Sequence, residues 1–565
     1  MAAWNNGEKT NEALSSQSSL GKLGEKEPVA VAAVHGLPDD GHNDENSLHR
    51  GLKSRHITMI AIGGALGTGL IIGTGSALTK AGPAGVLISY ALVGLLVYVV
   101  MCALGEMAAW LPLPSGFTGY ANRFCDPALG LALGYSYWFK YIIITPNQLT
   151  AAALVIQYWL PREKVNPGVF IAIFLVAIIF VNYFGIRFFG EFEFWLSSFK
   201  VVVIVGLILL SLILALGGGP DHDRKGFRYW KDPGAFNTYI EDGDAGRFLA
   251  FWAVITTATF AYLGTELVGV TVGEAQNPRR TIPKAIRLTF FRILFFYIFS
   301  VFLLGMLVPY NSEELAFATK QSNSAAASPF VVAIKLSGIK ALPGILNACI
   351  LVFVFSASNS DLYIASRTLF GLAREGKAPR IFARTDKRGV PVYSLGVSAL
   401  FSLLAFMNVA DDSKTVFNYF VNLVTIFGLL TWISILVTHI YFRRARYAQG
   451  IRDEDMPYVS PTGTIGSYLA LAFCVIIALF KNFSVFVGTF DVKNFVTGYL
   501  GIPLYLILIF GYKLTHRNSG IRPENADLFS GKEAIDREEE EFLKAQAAKQ
   551  EGETGFYDRF VSWLF

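Results

Sequence analysis

Residues 250–286, AFWAVITTATFAYLGTELVGVTVGEAQNPRRTIPKAI, place a carboxylate inside an apolar run. The run is about as long as the roughly 20 residues a helix needs to cross a bilayer. It is interrupted by Gly264 and carries Glu266 just past its middle. An ionised side chain at that depth costs about 2.5–3.5 kcal/mol even on the lenient insertion scale, so it faces a cavity, a partner charge or a transport path. Two readings stand side by side. Glu266 either serves a path through the membrane or is a structural acid paired with a lysine of another helix. The span then ends in Glu274, Asn277, Pro278, Arg279, Arg280 and Pro283, a basic, turn-rich stretch expected at the cytoplasmic surface.

The rest of the chain agrees with a membrane setting. Hydrophobic residues make up 53% of the 565 and aromatics 14%, with a mean hydropathy of +0.45. An all-α polytopic membrane protein is expected, in contact with lipid and without a nucleic-acid partner. The net charge of +5 says less than its distribution, because Arg and Lys gather in alternate loops. Residues 1–52 are polar, lack the apolar core of a signal peptide and are expected to form a disordered tail. A membrane domain over 53–513 and a charged cytoplasmic tail over 514–565 are expected to follow, with both termini in the cytoplasm. Cys102, Cys125, Cys349 and Cys474 show no metal-ligand spacing and read as buried thiols. Of seven histidines, only His439 falls in a span, so neither a metal site nor an enzyme's acid–base constellation is indicated.

About twelve spans are read from the apolar runs. The first is broken by GGALGTGLIIGTG at 63–75. Gly63, Gly67 and Gly69 at close spacing either let two helices pack tightly or mark an unwound segment whose N–H groups, with Thr68, hold a carboxylate. A third span, about Leu129 to Trp159, carries Lys140 and Asn147 seven residues apart and so on one face. The fifth opens on EFEFWLSSFK, with Lys200 in the apolar zone and Glu191 and Glu193 expected at the interface. The eighth, about Leu342 to Phe370, contains SASNSDLYIASR, whose polar residues and Asp361 must face protein or water. The broken first and sixth spans occupy matching positions in halves 1–5 and 6–10. That pattern points to an inverted-repeat transporter with its site at the breaks.

GALGTGLIIGTG at 64–75, EFEFWLSSFKV at 191–201, GEAQNPRRTIPKAI at 273–286, SASNSDLYIASRTLFGLAREGKAPRIFA at 356–383 and RRARYAQGI at 443–451 resemble the fungal amino acid permeases of the amino acid–polyamine–organocation superfamily. The resemblance covers roughly residues 48–515. FKYIIITPNQLTAAALVIQYW at 139–159 and GGGPDHDRKGFRYWKDPGAF at 217–236 are most similar to the dicarboxylic members, which take up glutamate and aspartate. The resemblance implies a LeuT-like 5+5 inverted repeat with two further C-terminal helices, a plasma-membrane location, and uptake coupled to a proton with no other cofactor. It also implies site roles. Gly67, Thr68 and Gly69 would bind the substrate carboxylate. Backbone at Phe260, Ala261 and Tyr262, beside the Gly264 break, would take the ammonium, with Phe260 as gate. Glu266 and Lys200 would serve proton coupling. Many family members have a small polar residue where Lys140 stands and Glu where Gln148 stands, so a proton role for that Glu does not carry over.

For an acidic substrate, Lys140 is the cation expected to meet the side-chain carboxylate. The alternatives are a lysine that snorkels to an interface and one locked in a structural ion pair. A broad or neutral amino acid permease, and a nutrient sensor with weak transport, are the competing functions. The tails offer contact points for trafficking machinery.

Overall fold

The computed structural model describes residues 67–544, apart from 114, 185, 268–285, 287, 316–327, 410–412, 518–519, 534, 538 and 541–542. The expectations for the 1–52 tail, for the basic run after Glu266 and for the end of the C-terminal tail lie outside the described residues.

A π-helical turn, Gly69–Gly73, leads into α1, Thr74–Trp110. This element joins the end of the first expected span to the second across a kink at Gly82, whose φ of 72° precedes Pro83. A side chain at Gly82 would strike the carbonyl oxygen of Ala235, and the kink is stitched to the 217–242 loop by Ala84 N–H to Ala235 O and Asn237 N–H to Ala81 O. The loop is therefore ordered by backbone bonds to a helix. After α2, Gly116–Phe124, come α3, Pro127–Ile156, and α4, Pro167–Tyr183. Both longer helices start the same way, with Pro at the first position and an Asx cap: Asp126 accepts from Ala128 N–H, and Asn166 from Gly168 N–H.

The next span is α5, Ile186–Ala215. Trp195, Val202 and Leu209, seven apart, are exposed along one stripe, while Glu193, Ser197 and Lys200 are buried on another. In a membrane the exposed stripe faces lipid. Glu193 thus departs from its expected interfacial place. The helix begins at Ile186 rather than at the EFEF stretch, which sets Glu193 about two turns inside it.

Four elements follow: α6, Gly243–Tyr262; α7, Ser300–Leu307, continuing a π-helical Ile293–Phe299; the short α8, Pro329–Leu336; and α9, Leu342–Arg374. Then come α10, Val392–Ser402, α11, Ser413–Ala448, α12, Gly463–Phe480, α13, Val492–Tyr499, and α14, Gly501–His516. Among the described residues, eight helices are long and apolar enough to cross a membrane, or nine when the α13–α14 pair, bent by 41°, is taken as one span. At the centre, α3 packs against both α9 and α11, and α1 packs against α6. The charged side chains on these central helices are thereby brought together away from lipid.

Candidate functional site

One of the two breaks expected from glycine is present. α6 stops at Tyr262, where Leu263 turns extended and Gly264 takes a φ of +98°, a conformation that favours a residue without a Cβ. At the other expected break Thr68 is already helical and Gly69–Gly73 form a π-helical turn, while Gly63 lies outside the described residues. The two segments touch through their backbones, since a Cβ on Gly69 would lie 2.5 Å from Ala261 Cα and 2.9 Å from Ala261 N. Gly67 differs, because a Cβ there meets nothing within 4 Å among the described residues.

Where the π-helical turn meets the Gly264 break lies a small chamber of about 20 Å³. Gly67, Thr68, Gly69, Phe260, Ala261 and Gly264 line it from these two segments, and Lys140, Gln148 and Asp361 from α3 and α9. Three buried polar atoms in this wall, Thr68 Oγ1, Gln148 Oε1 and Asp361 Oδ2, accept or donate no hydrogen bond among the described residues. Buried polar groups are normally satisfied, so a wall with three idle ones suits a polar occupant. The volume holds about one water, so a larger occupant needs the wall to move.

Lys140 and Glu266 are both 0% exposed and form an ion pair. The other carboxylate oxygen of Glu266 accepts from Gly264 N–H at 3.1 Å and from Trp432 Nε1–H at 3.4 Å. Glu266 itself stands behind the chamber wall, holding Lys140 in it. The Lys140 ammonium also lies 4.7 Å from the Tyr141 ring centre and 5.2 Å from that of Tyr137. Lys200 is paired elsewhere, 3.6 Å from Glu193. Glu193 further accepts from Ser356 at 2.6 Å and Ser197 at 3.1 Å. The expected coupling pair is therefore divided, with Glu266 on Lys140 and Lys200 on Glu193.

Two expectations about neighbours need correction. Asn147 is buried but does not join Lys140 in the chamber wall; Gln148 does. The second concerns the backbone expected to take the ammonium: Tyr262, whose side chain donates to Tyr90 O at 3.0 Å and stacks on Tyr297 at 4.4 Å, is absent from the chamber wall. Its carbonyl is also taken, by Thr265 N–H and Oγ1–H. The carbonyl of Phe260 accepts Leu263 N–H. Among the described residues, the Ala261 carbonyl accepts no hydrogen bond outside the helix ladder, so of the three it is the one free for an ammonium.

Phe260 borders a second, larger cavity of about 390 Å³. This vestibule is lined by Lys80, Tyr239, Phe417, Asn418, Lys481 and Asp491 among others, and opens toward the face that carries the 217–242 loop. Phe260 packs edge-on against Phe417, ring centres 6.1 Å apart, and is common to both cavities. It is the partition between them.

A polar cluster closes the opposite, basic face. Glu106 on α1 accepts from His439 Nε2 at 3.1 Å and Ser460 N–H at 2.9 Å, with Arg443 and Arg446 each 3.5 Å away. Arg446 also pairs with Asp453 and holds that carboxyl below its usual range. Beside it the C-terminal segment is strapped down by Trp110 Nε1–H to Leu528 O, Gln449 Nε2–H to Ala526 O and the Arg123–Asp527 pair.

Asp361, Gln148 and Trp432 are the site members that sequence reasoning did not assign. Asp361 carried a visible signal as an acid at membrane depth, whereas Trp432 is one aromatic in an apolar run and carried none.

The amino acid permease family matches residues 56–521 of the chain. A dicarboxylic amino acid permease of Saccharomyces cerevisiae is 56% identical over 93% of this chain and 88% of its own length. A lysine-specific permease of the same yeast is 41% identical over 88% of this chain and 81% of its own. Among solved structures, a manganese transporter of Eremococcus coleocola superposes with a TM-score of 0.54 at 10% identity, over 82% of this chain and 94% of the other, which shows the shared LeuT-like transporter fold. With a broken span and a π-helical turn meeting at a polar chamber and a family match over most of its length, the chain belongs to the amino acid permeases.

Proposed function

We propose that this protein carries acidic amino acids, glutamate and aspartate, inward across the plasma membrane together with a proton. The observation that carries the reading is the Lys140 ammonium in the wall of a chamber bounded by the Gly69–Gly73 π-helical turn and the Gly264 break. A substrate with a second carboxylate needs such a cation, because an uncompensated charge at that depth is opposed by desolvation. The yeast relative named for dicarboxylic amino acids, 56% identical, supports the same choice.

In this reading the α-carboxylate lies against the N–H groups of the π-helical turn and the Thr68 hydroxyl, and the ammonium against the Ala261 carbonyl. Lys140 has three donors, so it retains some for the side-chain carboxylate while Glu266 keeps it charged and in place. Glu266 and Lys200, each paired, set the field in which the coupled proton is held. Substrate enters from the vestibule, Phe260 moves aside, and the chamber widens around it. The Arg-rich face is cytoplasmic, as are both termini, which leaves the tails open to trafficking machinery.

The test is uptake of labelled glutamate at several external pH values in cells lacking their own acidic permease. Saturable uptake that rises with acidity, and is competed by aspartate far better than by glutamine, is expected. Equal competition by neutral amino acids would turn the reading toward a broad permease.

A further inference from the structure

We propose that Asp361 is the residue whose protonation admits the second carboxylate of the substrate, so that one proton is taken up with each acidic amino acid bound. The inference rests on the function proposed above. Lys140 and Asp361 are the charged side chains lining the chamber. The charge of Lys140 is already offset by Glu266, and that of Lys200 by Glu193. Asp361 is left over. It is 8% exposed, lines the chamber, and its Oδ2 bears no hydrogen bond among the described residues.

The groups that face Asp361 come from each helix packed around it. On α3 these are Lys140, the Gln148 amide and the Tyr137 and Tyr141 phenols; on α5 they are Lys200 and Glu193. Glu266 lies beyond, paired to Lys140, and α4 presents the neutral Asn182 amide to Asn359 of α9. Arg292, also buried, acts on Glu266 in turn. With the acids ionised and these basic groups charged, three cations face three carboxylates and the charges balance. Glutamate, with two carboxylates and one ammonium, adds one net negative charge. An uncompensated charge in a dry chamber is opposed by desolvation, and a proton on Asp361 removes it. The same proton turns Asp361 from an acceptor into an O–H donor aimed into the chamber, able to hydrogen-bond the incoming carboxylate. A neutral amino acid brings no such conflict, so its binding need not take up a proton at this residue. Asp361 therefore ties specificity to coupling.

The experiment uses the purified full-length protein and measures the Kd of glutamate and of glutamine from pH 5 to 8. In the wild type, glutamate Kd is expected to rise about tenfold per pH unit above the titration of Asp361, as uptake of one proton requires, with little slope for glutamine. Asp361→Asn is expected to flatten the glutamate slope to less than about twofold over the range while keeping tight binding at pH 8. In cells it should exchange glutamate yet fail to accumulate it. A pH-flat glutamate Kd in the wild type overturns the proposal, and needs no variant. An unaltered slope in Asp361→Asn, or loss of glutamate binding at every pH by a folded variant, does so too. Absence of glutamate binding by the wild type at all pH values would instead remove the acidic-substrate reading, and the inference with it.

Discussion

Gly69 and Ala261 meet backbone to backbone, with no room for even a methyl group between the π-helical turn and the end of α6. Gly69→Ala is therefore expected to abolish uptake or reduce it more than tenfold. Overpacking at such a contact costs about 1–3 kcal/mol. The neighbouring Gly67→Ala, whose Cβ meets open space, should retain most activity. Labelled glutamate uptake at matched surface expression checks the pair, and equal loss in both would contradict the geometry.

Lys140 and Glu266 are expected to fail singly and to recover together. Removing one partner of a buried ion pair costs about 3–5 kcal/mol, whereas replacing both is often near neutral. Lys140→Met should be retained inside the cell, and Lys140→Met with Glu266→Gln should return to the surface. The double variant should still recognise glutamate and aspartate at least about 30-fold less well, with glutamine and alanine affected far less. Competition assays on surface-matched cells measure this, and a uniform loss across substrates would remove Lys140 from recognition.

Tyr262→Phe removes the hydroxyl's bond to Tyr90 O and leaves the chamber untouched. It should lower stability by about 0.5–1.5 kcal/mol without changing the KM for glutamate. Thermal unfolding of the purified protein and uptake kinetics separate the two effects. A raised KM would contradict this and place the Tyr262 side chain in the site.

Glu106→Gln should strongly reduce surface expression, because it leaves Arg443, Arg446 and His439 without the carboxylate they surround. Protein that does reach the surface should show an unchanged KM. The outer member of the cluster responds to acid in a defined sense. Arg446 holds the Asp453 carboxyl below its usual range, so its stabilisation is present above the unfolded-state pKa and is lost as pH falls through the lower folded-state value. Unfolding of the purified protein on titration from pH 6 to 3 should lose a step in Asp453→Asn.

The break at Gly264 was legible because a glycine that ends an apolar run marks a local change of backbone, and Gly264 adopts the positive φ its setting anticipates. The glycines at 67–69 gave no such certainty, since small residues serve a close helix contact as well as an unwound turn, and the chain there is helical with Gly69 against Ala261. The Lys140–Glu266 pair was one of two open readings, since depth in two spans shows that both charges need partners but not which partners. Glu193 was misplaced because a helix start seven residues earlier than the acid turns an interfacial residue into a buried one. Glu106 and His439 lie 333 residues apart, and no spacing rule links such positions. Asp361 stood out as a charge at depth, yet its unpartnered oxygen exists only through the packing of α9 on α3.

The partition at Phe260 also shapes the electric field. A vestibule of about 390 Å³ holds water, and water with mobile ions stays at the potential of the solution it opens to. The membrane voltage then falls across the thinner layer from Phe260 through the chamber to the basic face. A charge crossing that layer senses nearly the whole drop, about 2.3 kcal/mol per elementary charge for each 100 mV, while one moving within the vestibule senses little. Loading into the vestibule should thus be almost independent of voltage, and the steps beyond Phe260 should carry the electrical work of the cycle.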